Sequence, residues 1–354
     1  MKKLLLINGS PKGKASNTRK LTSAFLKGLN KNNEYDVEEI ICSQLDISDC
    51  RGCFYCWKNE KGECSINDEM SAILKKYIAA DIIIWSFPNY FYGMPSCVKR
   101  VLDRLLPLYC QKQEIGKNNN SYHVCRFDFK NQKHLLFCSC GLYSADMNAE
   151  GIKTQFELMY GGSCDMLFCS EGQFLSNSFM DYRTKDYLDA LEEEGAEYAK
   201  RFVLSDKIKE MFKTPFLPIN EFILMADSSA ALRKNEMTEQ EYAYEKVRSF
   251  FKNMSYTYDA SVLFADNSVL EVYITDYDYT CQLHMDKNKC VLVEDTADFV
   301  PYRLKVISKL SFFASNPNLA KFENQKAKGP DINALVNLIN KFEKKGITKE
   351  LRFS

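Results

Sequence analysis

The sequence lacks any long hydrophobic run, and this absence excludes a membrane-spanning helix. None of its apolar stretches approaches the ~20 residues that cross a bilayer. Neither sign of charge is in excess, since 47 Lys and Arg stand against 47 Asp and Glu, which argues against nucleic acid or an anionic membrane as a main partner. The apolar run near the N-terminus stops at Asn8, too early for a secretion signal, and we expect a cytoplasmic protein.

Histidine is also scarce, and the three that are present do not share a metal-ligand spacing. His123, His134 and His284 are far apart in the chain, and we expect structural roles for them. No Ser/His/Asp set and no pair of carboxylates at a useful spacing stands out. The pattern therefore favours a reaction that a bound cofactor carries, with the protein positioning and tuning that cofactor.

Cysteine, in contrast, is abundant, with 14 in the chain. In a cytoplasmic protein such residues indicate thiols, metal ligands or redox groups rather than a disulfide framework. Cys50, Cys53, Cys56 and Cys64 form one closely spaced group. Because soft thiolates select iron–sulfur clusters or zinc, this group predicts a cluster, a zinc site, or a loop lined with cysteines that binds no metal.

Alternating strand and helix patterns cover residues 1–204 and predict an α/β domain. Short apolar runs such as Lys2–Ile7 and Asp81–Ser86 are bounded by turn residues, which is typical of buried parallel strands. Five strands and five helices in alternation fit a doubly wound parallel sheet of the flavodoxin-like order 2-1-3-4-5.

The pattern changes after about residue 204. We expect a connector over residues 205–238, since Lys213–Pro218 contains two prolines, and then an α+β domain over 239–354. Strands are predicted at 261–264, 269–275, 280–285 and 290–293, and helices at 306–314 and 331–342.

The loop after the first strand is rich in small, hydroxyl and amide residues. Such a loop at a helix N-terminus can wrap an anion, because its N–H groups and the helix dipole favour negative charge. The loop lacks a Gly-Lys-Ser/Thr ending and a Gly-x-Gly-x-x-Gly pattern, so neither an NTP site nor a dinucleotide site is expected. The alternative is a plain turn that Asn17 or Thr18 caps.

The loop after the third strand is aromatic and is shaped by Gly and Pro, at Ser86–Pro95. In a 2-1-3-4-5 sheet the loops after strands one and three line one crevice. A phosphate-binding loop beside an aromatic loop suits FMN. The alternative is that Tyr90, Phe91 and Tyr92 pack into the core.

These motifs together resemble the NADPH-dependent FMN reductase family of flavodoxin-like proteins. The resemblance rests on Gly9-Ser10-Pro11 with Ser16-Asn17-Thr18, on Pro88-Asn89-Tyr90, and on Met94-Pro95 with Lys99 and Asp103-Arg104. It implies that the FMN phosphate is held by Ser10, Lys12, Ser16, Asn17 and Thr18. It also implies that the ring is lined by Pro88, Asn89, Tyr90, Phe91 and Tyr92, and closed on its other side by Cys140 and Gly141. A homodimer is expected from the same resemblance.

The cysteine group resembles the compact motif of iron–sulfur flavoproteins, which carry a [4Fe-4S] cluster beside FMN on this fold. By that resemblance Cys50, Cys53, Cys56 and Cys64 would be the cluster ligands. Many members of the FMN reductase family carry a similar Cys-x-Gly-Cys-x-x-Cys-Trp stretch without a clear cluster. Trp57 and the long spacer before Cys64 depart from the tightest motifs.

Three functions follow as hypotheses. The first is an NAD(P)H-dependent oxidoreductase that passes hydride through FMN to a quinone, a nitro or azo compound, or another small acceptor. The second is an iron–sulfur flavoprotein that exchanges electrons with a ferredoxin-type partner. The third is a ligand- or lipid-binding module that the flavin domain regulates.

The third hypothesis depends on the C-terminal domain, which resembles the sterol-carrier-protein-2 (SCP2) fold over residues 240–345. The order of its elements and the late Gly329-Pro330-Asp331 before a helix carry that resemblance. It implies an apolar tunnel for a lipid-like molecule. The alternative is a dimerisation or lid domain with a filled core.

Overall fold

The computed structural model describes residues 1–59, 62–116, 119–176, 181–257, 268–286, 289–301, 304–308 and 350–352. The chain divides into two compact units, of which the first comprises Met1–Gln173 and Tyr187–Thr214. The second unit comprises Phe174–Asp186 and Pro215–Ser354. The division thus falls ten residues beyond the expected boundary at 204, and a short stretch of the first 204 residues belongs to the second unit.

The first unit is built on a five-stranded parallel sheet. Its strands along the chain are β1 (Lys2–Asn8), β2 (Tyr35–Ile41), β3 (Ile82–Pro88), β4 (Tyr109–Ile115), β5 (Ser121–Cys125), β6 (Lys133–Ser139) and β7 (Cys164–Cys169). The main sheet has the order β2-β1-β3-β6-β7, and β4 and β5 form a separate antiparallel ribbon. Counted over the parallel strands alone, the order is 2-1-3-4-5, which confirms the flavodoxin-like doubly wound sheet.

Helices cover this sheet, and their bounds follow the predicted alternation. They are α1 (Asn17–Leu29), α2 (Tyr55–Lys58), α3 (Met70–Ala79), α4 (Ser96–Asp103), α5 (Glu150–Tyr160), α6 (Asp181–Arg201) and α7 (Asp206–Lys213). The central strand β3 is apolar apart from Ser86 because both faces are covered, and every residue of β3 before Pro88 is buried. None of the helices in the described segments is long and apolar enough to cross a bilayer.

Two glycines let α1 and α6 cross at close range. A Cβ atom on Gly28 would lie 1.8 Å from the carbonyl oxygen of Glu192, and one on Gly195 would lie 2.1 Å from that of Phe25. Neither distance is compatible with a side chain, since the obstructing atoms belong to the backbone. The crossing fixes α1, whose N-terminus borders the loop after β1.

The part of the second unit after residue 214 that the structure describes contains two helices and a mixed sheet. The helices are α8 (Ile219–Arg233) and α9 (Glu239–Thr257), and the strands are β8 (Ser268–Ile274), β9 (Tyr279–Asp286), β10 (Lys289–Val293), β11 (Leu304–Ser308) and β12 (Glu350–Arg352). The sheet order is β10-β9-β8-β11-β12, antiparallel from β10 to β8 and parallel from β8 to β12. Tyr279 is buried and stacks against Phe251 of α9, which joins helix to sheet.

Several expectations for this part of the chain need correction. The segment 205–238 is not a plain connector, because it contains α7 and α8. The helix predicted from Val306 is wrong at its start, where Leu304–Ser308 forms β11 beside β8. The predicted strand at 261–264 and helix at 331–342 lie outside the described residues, as does much of the segment on which the SCP2 resemblance rests. The SCP2-like fold stays a prediction.

Candidate functional site

The loops after β1 and β3 meet at the C-terminal end of β6. Ser139, the last residue of β6, joins them: its hydroxyl lies 2.5 Å from the Thr18 hydroxyl, and its carbonyl accepts a hydrogen bond from the Asn89 backbone at 2.7 Å. Thr18 is the second residue of α1, and Asn89 follows β3. The two segments that the sequence predicts as one crevice therefore lie side by side, as the reversal of strand order requires.

The loop after β1 is a tight turn with buried hydroxyls. Ser10 and Ser16 are buried, whereas Lys12 is exposed at the rim. The Ser10 hydroxyl accepts from the Lys12 backbone at 3.3 Å. Ser16 is the N-cap of α1, because its hydroxyl accepts from the backbone N–H of Arg19. The loop thus presents the start of a 13-residue helix to the crevice.

A polar residue of β1 holds the base of this loop. Asn8 is fully buried, and its side-chain amide donates to the carbonyl of Gly13 at 3.1 Å and to Glu39 at 2.9 Å. Glu39 also pairs with Arg19 at 2.9 Å. Burial acts to raise the pKa of Glu39, but the hydrogen bonds from Arg19 and Asn8 hold that pKa below its ordinary value.

The aromatic loop does not pack into the core. Tyr90 is 47% exposed, Phe91 98% and Tyr92 59%. Tyr90 and Gly93 exchange two backbone hydrogen bonds, of 2.8 and 3.1 Å, and close a tight turn. Phe91 and Tyr92 both have positive φ values, 48° and 63°, which bulky residues seldom adopt. Strained, exposed aromatic residues of this kind concentrate at binding sites.

The third wall of the crevice comes from the loops after β6 and β7. Cys140 is buried and Gly141 is exposed. The Cys140 backbone N–H donates to the carbonyl of Cys169 at 2.8 Å, and the Cys140 carbonyl accepts from the backbone N–H of Gly172 at 2.7 Å. The Asn17 side chain donates to the carbonyl of Gly172 at 2.7 Å, which ties the first loop to this wall. Burial, with a contribution from the nearby Glu171 carboxylate, raises the pKa of Cys140, so its thiol stays protonated at neutral pH.

Asn89 carries a buried polar atom that the protein leaves unsatisfied. Its amide nitrogen donates to the carbonyl of Asn148 at 2.8 Å. Its carbonyl oxygen Oδ1 is inaccessible to water and has no hydrogen-bond partner among the described residues. Such atoms are rare in folded proteins and commonly mark a site for a ligand or an ordered water.

The four clustered cysteines lie on the loop that leads into and out of α2. Cys53 is exposed, Cys56 is buried, and Cys50 and Cys64 are half-buried. Burial raises the pKa of Cys56, and the neighbouring Cys64, Cys50 and Cys53 raise it further, so the four thiols are within electrostatic reach of one another. Among the described residues, no three His, Cys, Asp or Glu side chains stand in a metal-holding arrangement.

Two backbone positions in this loop require left-handed conformations. Gly52 has φ 61° and Phe54 has φ 52°, immediately before α2. Trp57 then donates through Nε1 to the carbonyl of Leu106 at 3.2 Å and packs at a tilted angle against His123 of β5, with ring centroids 4.5 Å apart. Arg126 donates to the carbonyl of Cys56 at 3.1 Å. Trp57 therefore has a structural role that fixes the loop against the β4–β5 ribbon.

A buried ion pair supports the far end of the cysteine loop. Arg104, 1% exposed, donates to both carboxylate oxygens of Asp68 at 2.7 and 2.9 Å and to the carbonyl of Ser48 at 2.7 Å. Burial acts to raise the pKa of Asp68, but these hydrogen bonds hold it below its ordinary value. Burial acts to lower the pKa of Arg104, and interaction with Asp68 and the Cys64 sulfur raises it overall. Arg104 is thus a fixed cation beside one cysteine of the group.

Some residues of the site escape prediction from the sequence. Ser139 and Gly172 join the walls of the crevice, and Asn148 orients Asn89. Only Ser139 has a recognisable sequence signal for a role in the site, because it is a hydroxyl residue at the end of a buried apolar strand. The roles of Gly172 and Asn148 depend on backbone carbonyls, which carry no side-chain signal.

Comparison with known proteins supports a relationship for the N-terminal part of the chain. Residues 2–119 match the model of the NADPH-dependent FMN reductase family. An iron–sulfur flavoprotein of Archaeoglobus fulgidus is 34% identical over 118 residues, which is 33% of this chain and 52% of that protein. An iron–sulfur flavoprotein of Methanosarcina thermophila is 30% identical over 118 residues, 32% of this chain and 60% of that one. The chain spans about half the length of the curated relatives that it matches.

Solved structures give more distant matches. An FMN-dependent NADH-azoreductase from Bacillus anthracis, in complex with FMN, aligns with 57% of this chain and 99% of its own, at 18% identity and a TM-score of 0.41. An NAD(P)H:quinone oxidoreductase from Methanothermobacter marburgensis aligns with 56% of this chain and 96% of its own, at 14% identity and a TM-score of 0.41. The N-terminal part of this chain is similar in sequence to NADPH-dependent FMN reductases and to iron–sulfur flavoproteins.

Proposed function

We propose that the chain is an FMN-dependent NAD(P)H oxidoreductase whose flavin lies in the crevice closed by Ser139. The observation that carries this proposal is the meeting of an anion-binding loop and an aromatic turn on one residue, through Thr18 and Asn89. The match of residues 2–119 to the NADPH-dependent FMN reductase family supports it.

The residues around the first loop fit a phosphate group. The N-terminal turn of α1 offers backbone N–H groups that have no partner within the helix, and the helix dipole adds a partial positive charge. Lys12 supplies a cation at the rim of the loop. Ser10, Ser16, Asn17 and Thr18 surround the same turn, and we assign the phosphate to this group of residues.

The residues of the second and third walls fit a planar ring. Tyr90 and Tyr92 offer apolar faces that the protein core does not use. Pro88 and Phe91 complete that side, and Cys140 with Gly141 faces it from the loop after β6. The unsatisfied Oδ1 of Asn89 is an acceptor that a ring N–H would satisfy.

FMN, when bound, accepts a hydride from NAD(P)H and delivers electrons to a second substrate. The chain's own contribution is to hold the ring and to leave one face open for the two substrates in turn. The protonated Cys140 thiol keeps negative charge away from the ring. We propose a small acceptor such as a quinone or a nitro or azo compound, because the exposed aromatic turn suits flat molecules.

Flavin titration of paired variants tests this assignment. Ser10→Ala combined with Asn17→Ala should weaken FMN binding by about 3 kcal/mol or more, because each lost charge-assisted hydrogen bond is worth ~1.5–3 kcal/mol. A matched control is Ser23→Ala with Asn32→Ala, which removes the same side-chain types outside the loop. Equal FMN affinity in both double variants would contradict the phosphate assignment.

A second candidate function is electron transfer through an iron–sulfur cluster, and the close spacing of four cysteines in one segment of the chain favours it. Cys50, Cys53, Cys56 and Cys64 are a soft donor set of the type that holds [4Fe-4S] clusters. Arg104, fixed beside Cys64, would offset part of the negative charge of a thiolate-bound cluster. Relatives that carry the name iron–sulfur flavoprotein add support. A ferredoxin-type partner and a homodimeric assembly stay predictions.

Metal and sulfide analysis after anaerobic purification decides between the two functions. About four irons and four sulfides per chain would support the cluster, and Cys53→Ser should abolish them. Cys110→Ser is the control, since that half-buried thiol lies on β4, outside the group. Resolved flavin absorption bands in a protein without iron would support the FMN reductase function and contradict the cluster. One zinc per chain would show that the four cysteines form a zinc site instead.

A further inference from the structure

The first unit holds a cavity of about 820 Å³ that lies apart from the proposed flavin crevice. This volume falls within the range of small-molecule sites, about 300–1,000 Å³. Its lining comes from α3, α4, the β4–β5 ribbon, α5 and the segments that join them. Aliphatic and aromatic side chains share it with the charged residues Asp103, Lys130 and Lys133; the apolar examples are Tyr77, Leu102, Leu108, Phe129, Met159 and Tyr160.

The position of this cavity separates it from the proposed flavin. His134, at the start of β6, lines the cavity, whereas Ser139, at the end of the same strand, closes the crevice. Five residues of extended strand separate these two positions by about 17 Å. Of the described residues that line the cavity, none belongs to the loops 9–18, 88–93 or 140–141.

The cavity contains a polar group that the protein leaves unused. His134 is 6% exposed, stacks on Tyr160 with centroids 3.9 Å apart, and has no hydrogen-bond partner for Nδ1 among the described residues. Burial lowers the pKa of His134 to about 4, so its ring is neutral at pH 7. The Tyr160 hydroxyl is already engaged, by Tyr77 at 3.0 Å and by Trp85 at 2.8 Å.

One end of the cavity reaches the cysteine loop. Cys50 and Gly52 contribute to its lining, and so does His123, against which Trp57 packs. A molecule in the cavity would therefore touch the backbone and side chains that position the four thiols.

We propose that this cavity binds a flat aromatic molecule with one polar group, which packs among the tyrosines and leucines and pairs with His134. The site differs from the flavin crevice, and its occupancy bears on the cysteine loop through Cys50. The occupant is a small molecule rather than a second copy of this chain, since the lining is a concave volume with an internal polar group.

Calorimetric titration of the full-length protein with 2-naphthol tests the proposal, without NAD(P)H and without turnover. Two substitutions at the end of α5 form a matched pair: Met159 lines the cavity, whereas its neighbour Leu158 is 80% exposed and does not. Met159→Lys should weaken 2-naphthol binding at least tenfold, and Leu158→Lys should leave it within twofold. His134→Phe should weaken it threefold to tenfold, the effect of one lost hydrogen bond.

Circular dichroism of each variant establishes that the fold is retained. The proposal is overturned if wild-type protein binds 2-naphthol more weakly than about 1 mM, or if the two lysine variants behave alike. A change of oligomeric state with Met159→Lys, in the absence of naphthol binding, would instead make this face an interface between copies. Because the measurement needs neither hydride transfer nor a cluster, its failure is distinct from failure of the proposed function.

Discussion

The hydroxyl groups of Thr18 and Ser139 lie 2.5 Å apart, although 121 residues separate them in the chain. Both residues are buried, and each belongs to a different wall of the crevice. The Ser139 carbonyl also accepts from the Asn89 backbone. One serine thus sets the spacing between the anion-binding turn and the aromatic turn.

Replacing Thr18 with Val should loosen this spacing. The variant keeps the shape of the side chain but leaves the Ser139 hydroxyl without its partner, at a cost of about 1–3 kcal/mol in the free energy of unfolding. We expect FMN affinity to fall threefold to tenfold as well. Thr22→Val is the control, since its buried hydroxyl pairs with Ser86 one turn further along α1. It should lose comparable stability in urea unfolding and retain FMN affinity; a loss of affinity in both variants would contradict this account.

A methyl group at Gly9 should disrupt the contact between β1 and α4. Its Cβ atom would lie 2.0 Å from Cγ2 of Val98 and 2.9 Å from Cβ of Phe87. We expect Gly9→Ala to lower the free energy of unfolding by about 1–3 kcal/mol. The cost should shrink in a Val98→Ala background, where the nearest obstructing atom is absent. Gly151→Ala, with its nearest atom at 3.4 Å in a helix, should be neutral or stabilising.

Breaking the Asp68–Arg104 pair should be costly because it leaves a charge buried. Asp68→Asn removes the carboxylate and strands the Arg104 guanidinium, which is 1% exposed, and should cost about 3–5 kcal/mol in chemical denaturation at pH 7. Asp103→Asn breaks a half-exposed pair with Lys99 and should cost less than about 1 kcal/mol. Since the pKa of Asp68 is lowered by folding, the advantage of wild type over Asp68→Asn should vanish as pH falls through that pKa. A difference that persists unchanged at pH 2–3 would show that the carboxylate charge is not responsible.

His134 should make the protein sensitive to mild acid. Its pKa is about 4 in the folded chain against an ordinary value of ~6.5, so the unfolded chain binds the proton more readily. Stability from this group is present above pH ~6.5 and is lost as pH falls toward 4, by about 2 kcal/mol at pH 5. His134→Phe should therefore lose less stability than wild type between pH 7 and pH 5, as measured by urea unfolding at each pH. Identical losses in the two proteins would contradict the assignment.

The parallel sheet was predictable from the sequence because its strands are covered on both faces. Continuous apolar runs such as Ile82–Phe87 arise from that burial, and turn residues mark their ends. The two crevice loops were predictable for the same reason, since the strand order alone brings the ends of β1 and β3 together. The role of Ser139 was not, because its position at a strand end does not identify Thr18, 121 residues away, as its hydrogen-bond partner.

The second unit shows where pattern reasoning fails. Val306 and Ile307 begin an apolar stretch whose spacing suits a helix, yet both lie in β11, paired with Val272 and Tyr273 of β8. Short apolar runs are ambiguous between the two structures, and here pairing with a neighbouring strand decides the outcome. The large cavity was equally hidden, because its lining comes from five separate segments of the chain.

The closed turn from Tyr90 to Gly93 has a consequence for the speed of recognition. Its two reciprocal backbone hydrogen bonds order this turn before a ligand binds. Binding of a planar molecule therefore does not require this loop to become ordered, because the loss of backbone entropy has already occurred during folding. Association is expected to be limited by encounter and orientation rather than by a rearrangement of the polypeptide.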